Sequence, residues 1–244
     1  MSETPPNDRF PTTHWSRVGR AGDPAAPEAR AALAELCSAY WYPIYALIRR
    51  RRHAHDETLD LTQEYFARLL EKGVLNAADR DKGRFRAFLR TDCGFFLRHQ
   101  REHQRALERG GGMTPLSIDA RDADGRYLRE LADALTPELL FDRCWALTLL
   151  EGVLTQLSRQ YAESGRAALF ERIQFVLSGG PRETSYATVA AELGTTEGAV
   201  QAAVQRLRSR YRTILRDRIA ATLDDPSDFA IDEEIRDLFA ALEG

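Results

Sequence analysis

Apolar residues recur at helical intervals along nearly the whole chain, and no segment alternates convincingly as a half-buried strand does. Leu33, Leu36, Cys37 and Tyr40 stand at i, i+3, i+4 and i+7, and the pattern runs through Ile44, Leu47 and Ile48 to Arg49. Pro43 is expected to kink this first helix or split it in two. Asp56 can cap a second helix, with Phe66, Leu69 and Leu70 on one face and a stop at Gly73. A third, from about Arg84 to Glu108, is expected to bury Phe85, Phe88, Leu89, Cys93, Phe96 and Leu97. The expected fold is therefore all-α.

After residue 109 the pattern fails. Gly110, Gly111, Gly112, Pro115, Asp119, Asp122, Asp124 and Gly125 form a polar stretch that reads as a flexible linker. Periodicity returns at Leu139 and Leu140 and continues through Trp145, Leu149, Leu150, Val153, Leu154 and Leu157. A further helix is predicted over about Ala167 to Leu177, ended by Gly179, Gly180 and Pro181. With 244 residues, 43% of them hydrophobic, the chain can build one large core or two small ones. The pattern divides into an N-terminal extension (1–24), a helical domain (25–109), a linker (110–137), a second helical domain (138–223) and an acidic tail (224–244).

No apolar run approaches the length of a spanning helix, and the N-terminus has neither a basic flank nor an apolar core, so a cytoplasmic protein without a membrane partner is expected. Cys37, Cys93 and Cys144 are odd in number, far apart and set in apolar helical patterns, which predicts reduced thiols in the core. The net charge is only −3, but its distribution is uneven. Residues 80–110 hold nine bases against four acids (+5), residues 197–218 hold six against two (+4), and residues 224–244 hold one against eight (−7). Two basic helices suit a polyanion although the total is nearly neutral.

The segment from Ser185 to Arg212 has the pattern of a helix-turn-helix. Ser185 can cap a short helix, Gly194 permits the positive φ of a turn, and Thr196 can cap a longer helix. Ala190 is small where the helices would cross, and Val189, Leu193, Val200, Val204 and Leu207 would share a core. In such units the start of the second helix meets base edges, which nominates Thr195, Thr196, Glu197, Gln201 and Gln205 as readers. Arg206, Arg208 and Arg210 would then hold phosphates.

Taken together, the chain resembles bacterial sigma factors of the extracytoplasmic-function class. Leu59-Asp60-Leu61-Thr62-Gln63-Glu64-Tyr65-Phe66 is similar to the family's Asp-Leu-x-Gln-Glu-x-Phe helix. Gly83-Arg84-Phe85-Arg86-Ala87-Phe88-Leu89 is similar to the start of its promoter-melting helix. Leu193-Gly194 through Glu197-Gly198 and Val200, then Arg206 and Arg208, match its helix-turn-helix, and Thr13-His14-Trp15-Ser16 looks like a variant form. The likeness covers most of residues 12–223. It implies that Asp60, Gln63 and Glu64 dock on core RNA polymerase. It implies that the 73–83 loop and the following helix, through Arg84, Arg86, Arg90, Arg98 and Arg101, take the −10 element with a flipped base. The helix-turn-helix would read the −35 element, and the linker would thread toward the polymerase channel. Partners would be core polymerase and promoter DNA, with an anti-sigma protein left open.

The sequence departs from that pattern at Gln201 and Ala203, where the family often has bases, and at Gly94 in mid-helix. His99 and His103 have zinc-compatible spacing but no third and fourth ligand at suitable spacing, so no metal or other cofactor is expected, and the pair more simply lines a basic helix. Arg49 to Arg52 with His53 and His55 read equally as a solvated helix end or a nucleic-acid contact. No catalytic constellation is visible, which argues against an enzyme. Two other readings stand beside the sigma factor: a DNA-binding regulator that does not bind polymerase, and a sigma-like interaction protein. Finally, Ile231, Ile235, Leu238, Phe239 and Leu242 make the tail an amphipathic acidic helix. It would either pack on the second domain or fold back on a basic helix in competition with DNA.

Overall fold

Residues Tyr40 to Ile48 are buried without a break, because this stretch is apolar on every side of its helix. A helix covered all round becomes the centre of its unit. The computed structural model describes residues 27–51, 53–71, 85–107, 123, 127, 135–177, 185–223 and 226–243. The fold is all-α, with no strand among the described residues. The helices bounded by described residues are α1 (Pro27–Arg50), α2 (His55–Glu71), α3 (Phe85–Leu107), α4 (Pro137–Glu163), α5 (Ala167–Ile173), α6 (Tyr186–Glu192), α7 (Glu197–Ala220) and α8 (Asp228–Glu243), and a 3-10 turn, Gln174–Leu177, extends α5.

The chain divides into two compact units, residues 1–148 with 219–244 and residues 149–218. The division falls inside α4 rather than at 137/138, since Leu140, Phe141, Cys144, Trp145 and Ala146 are buried in the first unit. The acidic tail also belongs to that unit and not, as one expectation had it, to the second.

In the first unit, Tyr40 of α1 meets Phe85 of α3 edge-on at 5.3 Å. The Tyr65 hydroxyl of α2 donates to the Leu89 carbonyl of α3 at 3.1 Å, and its ring lies 5.5 Å from Phe96. Arg68 pairs with Asp92 between the same helices. Thr58 and Thr62, both buried, donate to the carbonyls of Ala54 and Thr58, so no hydroxyl is left unsatisfied. Pro43 sits inside an unbroken α1 and does not divide it. Asp56 lies in the first turn of α2, one residue inside the helix, where its charge favours the positive N-terminal end. Ala123 and Tyr127, in the stretch that composition marks as linker, are helical and buried. Tyr127 faces Tyr45 at 6.5 Å and carries the Arg49 guanidinium at 5.6 Å, because an aromatic ring gains from burial even among polar neighbours.

In the second unit, Val153, Leu157 and Tyr161 of α4 are buried, and Tyr161 lies 5.3 Å from Phe170 of α5. Gly165, at φ +69°, ends α4: its N–H reaches the Ala162 carbonyl at 2.9 Å and that of Arg166 reaches Tyr161 at 2.8 Å. Arg172 of α5 pairs with Glu192 of α6 at 3.3 Å.

Candidate nucleic-acid interface

The turn between α6 and α7 is fixed by its own hydrogen bonds. The Ser185 hydroxyl caps α6 by accepting from Thr188 N–H at 3.1 Å. At the far end Gly194 takes φ +62°, the Gly194 N–H reaches the Ala191 carbonyl at 3.3 Å, and the Thr195 N–H reaches that of Ala190 at 2.9 Å. This paired closure satisfies carbonyls that would otherwise be orphaned, and it needs a left-handed residue where glycine stands. The Thr196 hydroxyl then caps α7 by accepting from Ala199 N–H at 3.2 Å.

α7 is divided sharply along its length. Val200, Ala203, Val204, Leu207, Ile214 and Leu215 are buried, whereas Thr195, Thr196, Glu197, Gln201, Gln205, Arg206, Arg208, Arg210 and Arg212 are exposed. Glu197, Gln201, Gln205, Arg208 and Arg212 follow one another at intervals of three and four, along one outward face. Gln201 donates to Glu197 at 3.4 Å. Arg210 lies over the Tyr161 ring at 5.6 Å. None of Arg206, Arg208, Arg210 and Arg212 forms an ion pair among the described residues. Ala203, one of the two α7 positions singled out in the sequence, is buried, whereas Gln201 is exposed.

α3 presents a different picture. Arg86, nominated as a DNA contact, is 9% exposed. Its Nε donates to Glu234 Oε1 at 2.7 Å, one terminal nitrogen to Asp142 at 3.0 Å and the other to Asp237 at 2.8 Å, while the guanidinium lies 4.8 Å over Trp145. Burial pulls the guanidinium toward neutrality, but the hydrogen bonds and charges of Glu234 and Asp142 outweigh it, so its pKa stands above the ordinary arginine value. Arg90 is half-buried and donates to the same Asp142 at 2.6 Å. Only Arg98 of the nominated set is described and exposed, and it lies 4.4 Å over the ring of Phe95, itself 58% exposed. Phe95 was not among the candidates, although it stands beside the buried Phe85, Leu89, Cys93, Phe96 stripe and not on it. Arg84, the side chains of Arg101 and His103, the 73–83 loop, Thr13–Ser16 and most of the linker lie outside the described residues.

On α2, Asp60 and Glu64 are exposed and Gln63 is half-buried on the face opposite Leu61, Thr62, Tyr65 and Phe66. Gln100 of α3 donates to Glu64. Cys37 is half-buried, Cys93 and Cys144 are buried, and all three are free thiols. No helix among the described residues is long and apolar enough to cross a membrane, and no cluster of metal-ligating side chains is found among them.

Comparison with known proteins identifies no relative: no family model, no curated protein and no solved structure matches this chain.

Proposed function

We propose that the protein is a sigma factor, binding core RNA polymerase and directing it to promoter DNA, and that it performs no catalysis itself. The observation that carries this reading is α7, where four arginines at 206, 208, 210 and 212 stand exposed without an acidic partner among the described residues. Such a run is costly in self-repulsion unless a polyanion meets it. The capped turn before it is rigid, and the exposed Thr195, Glu197, Gln201 and Gln205 at the start of α7 are suited to base edges in a major groove. On α2 the Asp60, Gln63, Glu64 surface supplies an acidic and amide patch for polymerase. Arg98 with Phe95 on α3 supplies a charge and an exposed ring for unpaired DNA.

The test is co-purification with the organism's own core polymerase, followed by run-off transcription on genomic fragments. A sigma factor is retained by core enzyme and initiates at discrete sites, and Asp60, Gln63 and Glu64 changed together to Ala weaken retention without unfolding the chain. Duplex binding without retention would instead favour the regulator, and retention without DNA binding the interaction protein.

A further inference from the structure

The acidic tail sits on one of the arginines that the sigma reading assigns to DNA. Glu234, 2% exposed, and Asp237 of α8 join Asp142 of α4 around Arg86, and Asp142 is shared with Arg90. Three carboxylates thus face two guanidinium groups, and every donor edge of Arg86 is used. A forked set of oxygens around a guanidinium is what a phosphate also offers.

We propose that α8 is a removable acidic cover of α3: Glu234 and Asp237 occupy Arg86 in the free protein, and a DNA phosphate replaces them when α8 lifts away. This rests on the reading of α3 as a DNA-contacting helix. Four observations make α8 a cover and not a strut. Its only fully buried apolar side chains are Ile231 and Leu238, while Phe229 and Phe239 are 69% and 49% exposed. Elements with so little buried apolar surface open most readily. The Asp237 side chain is 46% exposed, so a phosphate can begin the exchange there. Asp142 stays with Arg86 when α8 leaves, so lifting the helix does not strand a bare cation. The helix is also tethered close to its target, and a tethered competitor acts at high effective concentration.

The experiment uses the full chain and mixed-sequence single-stranded and duplex oligonucleotides at low salt, where charge pairing is least screened. The E234Q/D237N protein is expected to bind about tenfold more tightly than wild type, because a weakened cover competes less well at its high effective concentration. Adding Arg86→Gln is expected to abolish the gain. In wild type, amide hydrogens of residues 228–243 are expected to exchange faster once DNA is bound. Unchanged affinity in a variant that keeps its helical content overturns the cover, as does α8 protection that stays level or rises under saturating DNA. Should the variant misfold, the exchange measurement on wild type decides alone. Absence of DNA binding by every variant overturns both the cover and the DNA reading, whereas binding with α8 still protected overturns only the cover.

Discussion

Arg86 Nε donates to Glu234 Oε1 at 2.7 Å although 148 residues separate them. Arg86→Met would leave that carboxylate buried without its guanidinium, and breaking a buried pair this way costs about 3 to 5 kcal/mol. Arg90→Met, at a side chain 32% exposed, should cost under about 1 kcal/mol. Urea unfolding of both variants gives the comparison, and equal losses would show that Arg86 is not the centre of the cluster.

Two glycines should respond in opposite directions. A Cβ at Gly94 in α3 would meet nothing closer than the Arg51 guanidinium at 3.7 Å, an ordinary contact. Gly94→Ala should therefore stabilise the protein by about 0.5 to 1 kcal/mol, through helix propensity and a less flexible unfolded chain. Gly194→Ala meets no atom either, but φ +62° strains any L side chain, and a loss of about 1 kcal/mol is expected. A shift of both urea midpoints in the same direction would contradict this account.

What the sequence made legible was local. Ser185, Gly194 and Thr196 act on residues two to four positions away, so their roles as cap, turn and cap followed from spacing alone. The buried stripe of α3 was equally visible except at Phe88, which is only half-buried, and Phe95 could have been found as the aromatic just off it. Arg86 could not be judged this way. Its partners are 56, 148 and 151 residues distant, and an arginine in a basic run looks the same whether it meets phosphate or a carboxylate. The expected split at Pro43 and the linker reading around Tyr127 failed for the same reason, since tertiary packing overrides a local breaker or a polar neighbourhood.

The thiols should be inert in the native protein. Burial pushes Cys37 up to about 11 and Cys93 up to about 12. At pH 8 the thiolate fraction at Cys37 is then about one in a thousand, against roughly a quarter for a free cysteine. Iodoacetamide should label both slowly at pH 8 and quickly in urea, as followed by mass spectrometry. Fast native labelling of Cys93 would show that its site is open.

The exposed side chains of α7 allow positioning to be separated from reading. Arg206 is exposed and unpaired among the described residues, whereas Arg210 also lies over Tyr161. A phosphate contact carries no sequence information, so Arg206→Ala should weaken binding about equally on all duplexes and flatten the salt dependence by about 0.9 in log–log slope. Arg210→Ala should do the same and also lose the cation–ring contact with the buried Tyr161, at a cost of up to about 1 kcal/mol. Gln201 leans toward Glu197 at 3.4 Å and can leave it for a base at little cost. Gln201→Ala should change preference at one base pair by roughly 1 to 3 kcal/mol while leaving the salt slope unaltered. Titrations at several salt concentrations, on a selected site and its single-base variants, measure both quantities together. An unchanged slope in Arg206→Ala removes the phosphate role, and an unchanged preference in Gln201→Ala removes the reader.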